Sequence, residues 1–139
     1  MPRIERSAKV TWEGNLARGI GQISADTGAF SALPFSLPTR IGAAEGKTSP
    51  EELLAGAHAA CFAMGLANAL TTAGTPSEHM EVDCLIVMDE VEGQGHQIVA
   101  SHVTVKGDAT DETIAEADAG CPFSILLKNA GVEVTISRA

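Results

Sequence analysis

Ser49-Pro50-Glu51-Glu52-Leu53-Leu54-Ala55-Gly56-Ala57-His58-Ala59-Ala60-Cys61-Phe62-Ala63-Met64-Gly65-Leu66 reads as the opening of one long helix with a cysteine in its middle. Ser49 is placed to cap the first turn, and Pro50 takes the first helical position, where a missing N–H costs nothing. Glu52, three residues after Ser49, completes a capping box. No proline or charge interrupts the run from Leu53 to Leu70, and Gly74 and Pro76 then stop it, which leaves about five to six turns at roughly 3.6 residues each. Such a helix is apolar nearly all round, so it is expected to be buried on most faces, with its Ala and Gly positions letting another helix or sheet come close. A membrane span is the rival reading of so long an uncharged run. The Ala and Gly content, His58, Asn68 and a basic flank limited to Lys47 weigh against it.

Around that helix the chain has room for one core. Its 139 residues suit a single domain spanning 1–139, and 45% hydrophobic with 19% charged residues is a globular composition. The net charge of −9 and the lack of a basic cluster argue against nucleic acid or an anionic membrane surface, whose binding depends on Lys and Arg. A neutral or cationic partner fits better. Residues Met1 to Val10 include basic side chains with no apolar run behind them, so no signal peptide is expected and the default location is cytoplasmic. Cys61, Cys84 and Cys121 are odd in number and far apart, which fits thiol chemistry in a reducing compartment better than a disulfide framework. No CxxC or HxxxH spacing supports a metal site, and no cofactor is called for.

Taken in order, Ala8 to Glu13 and Gly19 to Ser24 read as two strands of a hairpin turning around Gly14-Asn15. Ala29 to Arg40 carries two prolines and reads as an irregular or edge segment with room for a third short strand, and Gly42 to Thr48 is a loop into the helix. After the helix, Met80 to Val91 and Gln97 to Lys106 are β-rich runs separated by Glu92-Gly93-Gln94-Gly95, a hairpin signal. Thr110 is placed to cap a helix from Asp111 to Ala119, Gly120 breaks it, and Pro122 starts another that ends near Gly131. Val132 to Ser137 alternates apolar with polar residues as a half-exposed strand does. The predicted class is α+β, mainly antiparallel sheets around a long central helix.

The cysteines differ in setting. Cys61 is about ten residues into its helix, too far from the N-terminus for the helix dipole, which fades after the first turn, to stabilise a thiolate. Cys121, in Gly120-Cys121-Pro122, falls at the N-cap of a helix, where backbone donors favour a thiolate. Cys84, within a strand, reads as an inert small hydrophobe. His58, three residues before Cys61, lies on a neighbouring helix position from which a thiolate–imidazolium pair can form. The plainer reading is preferred: a packed or hydrogen-bonded histidine with no orienting Asn or Asp.

Thr48-Ser49-Pro50-Glu51-Glu52-Leu53-Leu54, His58-Ala59-Ala60-Cys61-Phe62 and Cys121-Pro122 resemble the signatures of the OsmC/Ohr family, the osmotically inducible and organic hydroperoxide resistance proteins. Trp12-Glu13-Gly14 and Thr39-Arg40 extend the likeness along the chain, and His-Ala-Ala-Cys looks more like the OsmC branch. The interval between the two cysteines is a few residues shorter than the family's, which implies a trimmed loop after Lys106. The resemblance implies a thiol-dependent peroxidase. In it Cys61 is peroxidatic, Cys121 resolves, Glu51 matches the family's glutamate, and Arg40 matches the catalytic arginine of the OsmC branch. The Ohr branch takes that arginine from the first hairpin, where Arg18 stands here. The resemblance also implies an organic hydroperoxide as substrate, a Cys61–Cys121 disulfide, and recycling by a dithiol carried on a lipoylated protein.

Physical chemistry gives the arginine its place. A free thiol of pKa about 8.5 is already several per cent ionised near neutrality, so full ionisation accelerates attack only about tenfold to thirtyfold. A larger gain needs charge stabilisation at the departing alkoxide, for which a desolvated guanidinium held by Glu51 has the right shape and charge. Phe62, Met64 and Phe123 are expected to line an apolar pocket for alkyl hydroperoxides. Glu51 and Cys61 stand about 15 Å apart along one helix, so a second, antiparallel copy is expected to bring its Glu51 end to Cys61, in an intertwined homodimer. Two rival readings stay open: a non-catalytic redox sensor or small-ligand binding domain using the same cysteines, and a Cys61–His58 hydrolase.

Overall fold

The computed structural model of the chain describes residues 2–139, which form two compact units, one running to Pro50 and the other from Glu51 to Ala139.

The first unit is a three-stranded antiparallel sheet in the order β1-β2-β3, with β1 at Ala8–Glu13, β2 at Ile20–Ala25 and β3 at Leu33–Phe35. Gly21 pairs with Trp12 on one side and Phe35 on the other, and a Cβ on Gly21 would meet the Phe35 ring at 2.3 Å. Glycine there lets Phe35 lie across β2, with its ring centroid 5.8 Å from that of Trp12. Pro34 sits in β3, an edge strand, where a missing N–H is tolerated.

The stretch from Leu37 to Ile41 departs from the irregular segment expected of it. It forms a short helix, α1, because Ser36 caps it by accepting from Thr39 N at 3.3 Å and Pro38 falls in the first turn, where proline is at home. Arg40 is therefore in the last turn of a helix rather than on a loop.

The long helix α2, Pro50–Thr72, has its first residue at the end of the first unit and the rest in the second. The second unit continues through β4 (Met80–Val91), β5 (Gly95–Gly107), α3 (Asp111–Gly120), α4 (Pro122–Asn129) and β6 (Glu133–Arg138). β4 and β5 form an antiparallel hairpin, whereas β6 joins the other edge of β5 in parallel. A parallel neighbour needs a long crossover, and α3 and α4 together supply it. Thr110 caps α3 with a reciprocal capping box to Thr113.

Burial of α2 is narrower than expected. Its buried residues are His58, Phe62, Leu66, Ala69 and Leu70, a single stripe at helical spacing, while Met64 is 70% exposed. A small sheet and two short helices fully bury one face of a helix this long, while Leu53, Leu54 and most of its alanines are only half-buried. The stripe packs against Val103 and Val105 of β5, Ala117 of α3 and Cys121. Each large apolar side chain buried in this way contributes about 1.5–3 kcal/mol. By length and composition α2 is also apolar enough to cross a membrane, with a mean hydropathy of 1.5 over its best window. Here its buried stripe belongs to an α+β core.

Candidate active site

Cys61 and Cys121, 60 residues apart in sequence, are brought together at the junction of α2 with α4. The Cys61 side chain packs against the buried cluster that holds Cys121, with Phe123 beside it, and both the Cys121 thiol and the Phe123 backbone N–H lie close enough to act on its titration. Cys61 is half-buried and Cys121 is 2% exposed. Burial pushes the Cys61 thiol up from its ordinary pKa, contact with Cys121 pushes it further the same way, and the Phe123 N–H opposes both.

The N-terminus of α4 therefore acts differently from its sequence. Cys121 does occupy the N-cap position, yet its side chain makes no capping hydrogen bond. The N–H of Phe123 at that helix start instead favours the Cys61 thiolate. A cysteine remote from its own helix terminus thus feels the terminus of another.

Beside this pair lies a buried polar chain. His58, fully buried, pairs its Nδ1 with Ser101 Oγ at 2.6 Å and its Nε2 with Ser124 Oγ at 2.8 Å, and both serines are fully buried as well. Cys84 Sγ lies 3.3 Å from Ser101 Oγ and 3.9 Å from His58 Nδ1. A neutral imidazole satisfies both serines, with one ring nitrogen donating and the other accepting; when Nδ1–H donates to Ser101 and Ser124 donates to Nε2, the Ser101 hydroxyl is left to donate to Cys84. Burial accordingly holds the His58 pKa below its ordinary value, with Asp118 pulling it up and Lys128 pushing it down. Burial also raises the Cys84 thiol, against the Ser101 hydroxyl. His58 is thus a hydrogen-bonded structural residue, with both ring nitrogens committed to serines rather than to a thiolate–imidazolium pair with Cys61. Cys84 is more than an inert hydrophobe, since its sulfur ends this chain.

Glu51 stands in the first turn of α2, about 15 Å along the axis from Cys61 at roughly 1.5 Å per residue. Arg40 is in α1 and Arg18 in the turn joining β1 to β2, both within the first unit. The expected apolar pocket takes a different form. Phe62 points into the core and is fully buried, Met64 faces outward, and only Phe123, half-buried against the core cluster, lies beside Cys61. Residues on adjacent positions of a helix point about 100° apart, so Phe62 on the buried stripe and Met64 two positions on cannot line one cavity. Among the described residues no three His, Cys, Asp or Glu side chains are grouped as metal ligands would be.

The profile of the OsmC-like protein family matches residues 42–137. Peroxiredoxin OsmC of Escherichia coli (strain K12) is 36% identical over 140 aligned positions, covering 96% of this chain and 94% of that protein. Among solved structures, the organic hydroperoxide resistance protein OhrB of Bacillus subtilis superimposes with a TM-score of 0.74 at 26% identity, covering 96% of this chain and 98% of that one. An OsmC protein of Legionella pneumophila, 18% identical with 99% of each chain covered, has the same fold at a TM-score of 0.77. By sequence and by fold, the chain belongs to the OsmC-like protein family.

Proposed function

We propose that the chain is a thiol-dependent peroxidase of organic hydroperoxides, with Cys61 as the peroxidatic and Cys121 as the resolving cysteine. The observation that carries this reading is the approach of Cys61 of α2 to Cys121 at the start of α4. The names of its relatives, peroxiredoxin OsmC and organic hydroperoxide resistance protein OhrB, support a peroxidase-type role.

In the first step the Cys61 thiolate attacks the terminal oxygen of ROOH. The O–O bond breaks, the alkoxide takes up a proton to leave as ROH, and Cys61 becomes a sulfenic acid. Arg40, held by Glu51, stabilises the charge on the departing oxygen and on the thiolate, which burial alone disfavours. In the second step the Cys121 sulfur attacks Cys61–SOH, the S–O bond breaks, water leaves and the disulfide forms. An external dithiol then attacks the disulfide, the Cys61–Cys121 bond breaks through a mixed disulfide, and the reductant's second thiol closes its own disulfide as both protein thiols return; protein-bound dihydrolipoamide is the reductant we assign. Each site is built from two chains of a cytoplasmic homodimer, which also covers the outer face of α2.

A redox sensor is favoured by one observation, the raised pKa of Cys61, which slows a lone thiol. Turnover separates the two. Peroxide consumption with a dithiol reductant, comparing cumene hydroperoxide with hydrogen peroxide, is expected to run for many cycles and faster with the cumene compound. Consumption that stops at one equivalent per chain with fresh dithiol present would establish the sensor.

A further inference from the structure

The first turn of α4 meets α2 at two places. Cys121 and the Phe123 N–H face Cys61, and Ser124 Oγ bonds His58 Nε2 at 2.8 Å. His58 precedes Cys61 by three residues on the same helix, so the two contacts lie one turn apart on neighbouring surface of α2. The other ring nitrogen of His58 is bonded to Ser101 of β5 at 2.6 Å, and no water-exposed surface is left on the ring. An imidazole held at both nitrogens cannot turn about its bonds without losing a buried hydrogen bond, so it transmits the position of β5 to α4 as a rigid spacer.

We propose that His58, with Ser124, is a positioning residue for disulfide formation: it fixes the first turn of α4 so that Cys121 meets the Cys61 sulfenic acid. This inference rests on the peroxidase reading and assigns a step of it to residues outside the reacting pair. Closing the bond brings the sulfurs from non-bonded separation to about 2.05 Å, with a dihedral of about 90°. A displacement of about 1 Å in a reacting group costs on the order of a hundredfold in rate. Attack of Cys61 on peroxide needs no group of α4 to move. The disulfide step does. When that step slows, a second hydroperoxide reaches the sulfenic acid first, transfers its oxygen to sulfur, leaves as ROH and makes the sulfinic acid.

The test compares Ser124→Ala with Val103→Ala, a core substitution on β5 outside the hydrogen-bonded chain and matched for thermal stability. Mass spectrometry reads the sulfinic acid formed at Cys61 per turnover, and stopped flow reads disulfide closure. Ser124→Ala is expected to raise the sulfinic fraction about tenfold and to slow closure more than it slows peroxide attack. Ser124→Thr, which restores the hydroxyl, is expected to recover most of the difference. His58→Asn, whose side chain is too short to bridge both serines, tests the same link should Ser124→Ala fold poorly. An equal sulfinic rise in Val103→Ala, or wild-type closure in both Ser124→Ala and His58→Asn, overturns the proposal. A wild-type chain that reduces no hydroperoxide overturns the peroxidase reading instead. In that case diamide-driven closure of the Cys61–Cys121 disulfide reads the geometry: unchanged closure in Ser124→Ala overturns the positioning role, and slower closure supports it.

Discussion

The backbone N–H of Phe123, at the start of α4, favours the thiolate of Cys61 on α2, and Phe123 follows Cys121 by two positions. One helix start therefore brings both a thiol and a backbone N–H to bear on the half-buried cysteine. Burial and the Cys121 contact outweigh that N–H and push the Cys61 thiol up from its ordinary pKa. If a guanidinium from Arg40 supplies the opposing charge, Arg40→Ala leaves only these influences. In that variant the pH midpoint for alkylation of Cys61 by iodoacetamide, read peptide by peptide, is expected above the ordinary thiol range and above the wild-type midpoint. Equal midpoints in the two proteins would remove Arg40 from the site.

Activity should rank the two arginines. Removing one donor aimed at developing negative charge costs about a hundredfold to a thousandfold in rate. Arg40→Ala, in α1, is expected to lose that much kcat/KM for an organic hydroperoxide, and Arg18→Ala, in the first turn between strands, far less. The reverse order moves the charge stabiliser to the hairpin.

On the proposed reading the two cysteines act in turn. Cys61→Ser is expected to abolish hydroperoxide reduction, whereas Cys121→Ser consumes about one equivalent and then stalls or proceeds to sulfinic acid. Continuous turnover by Cys61→Ser would falsify the assignment of the peroxidatic sulfur.

Features set by local chemistry were legible in the sequence. The start of α2 at Pro50, its end before Gly74, the cap of α3 at Thr110 and the hairpin strands follow from residues within one turn of each boundary. The buried face of α2 was not, because a helix apolar on every side has no period to mark the face that packs. Pro38 obscured α1, since a proline signals irregular chain and a helical first turn alike. The parallel seat of β6 depends on a crossover whose path no local residue specifies. At the site, the helix start at Pro122 was legible, but its donor is a backbone group and carries no side-chain signal of its target. The partners of His58 lie 43 and 66 residues away, on β5 and α4, and only the fold joins them.

Neutral His58 makes stability depend on acid. Its folded pKa is lowered from the ordinary 6.5, chiefly by burial. As pH falls below that value the unfolded chain gains a proton that the folded chain does not, so stability is full above about 6.5 and is lost as pH falls toward the folded pKa. NMR is expected to place the His58 ring titration below 6.5, and His58→Gln to flatten the part of the melting-temperature decline that begins there. A His58 midpoint above 6.5 contradicts the neutral, doubly bonded ring.

Assembly follows from one helix length. Glu51 and Cys61 occupy the same straight helix about 15 Å apart along its axis, so a glutamate that holds an arginine against Cys61 cannot come from the same α2. In the proposed homodimer a second copy running antiparallel would place its own Glu51 end beside the first copy's Cys61, and a two-fold axis would complete both sites at once. The outer face of α2, with Met64 exposed and alanines and glycines around it, has the small side chains that let two such helices approach closely. Sedimentation at micromolar concentration is expected to give a dimer. A chain carrying Cys61→Ser and a chain carrying Glu51→Ala, each inactive alone, are expected to recover about half of one dimer's activity when co-folded, because one of the two shared sites is then intact. A fully active monomer, or a mixed dimer with no activity, means that each chain builds its site alone.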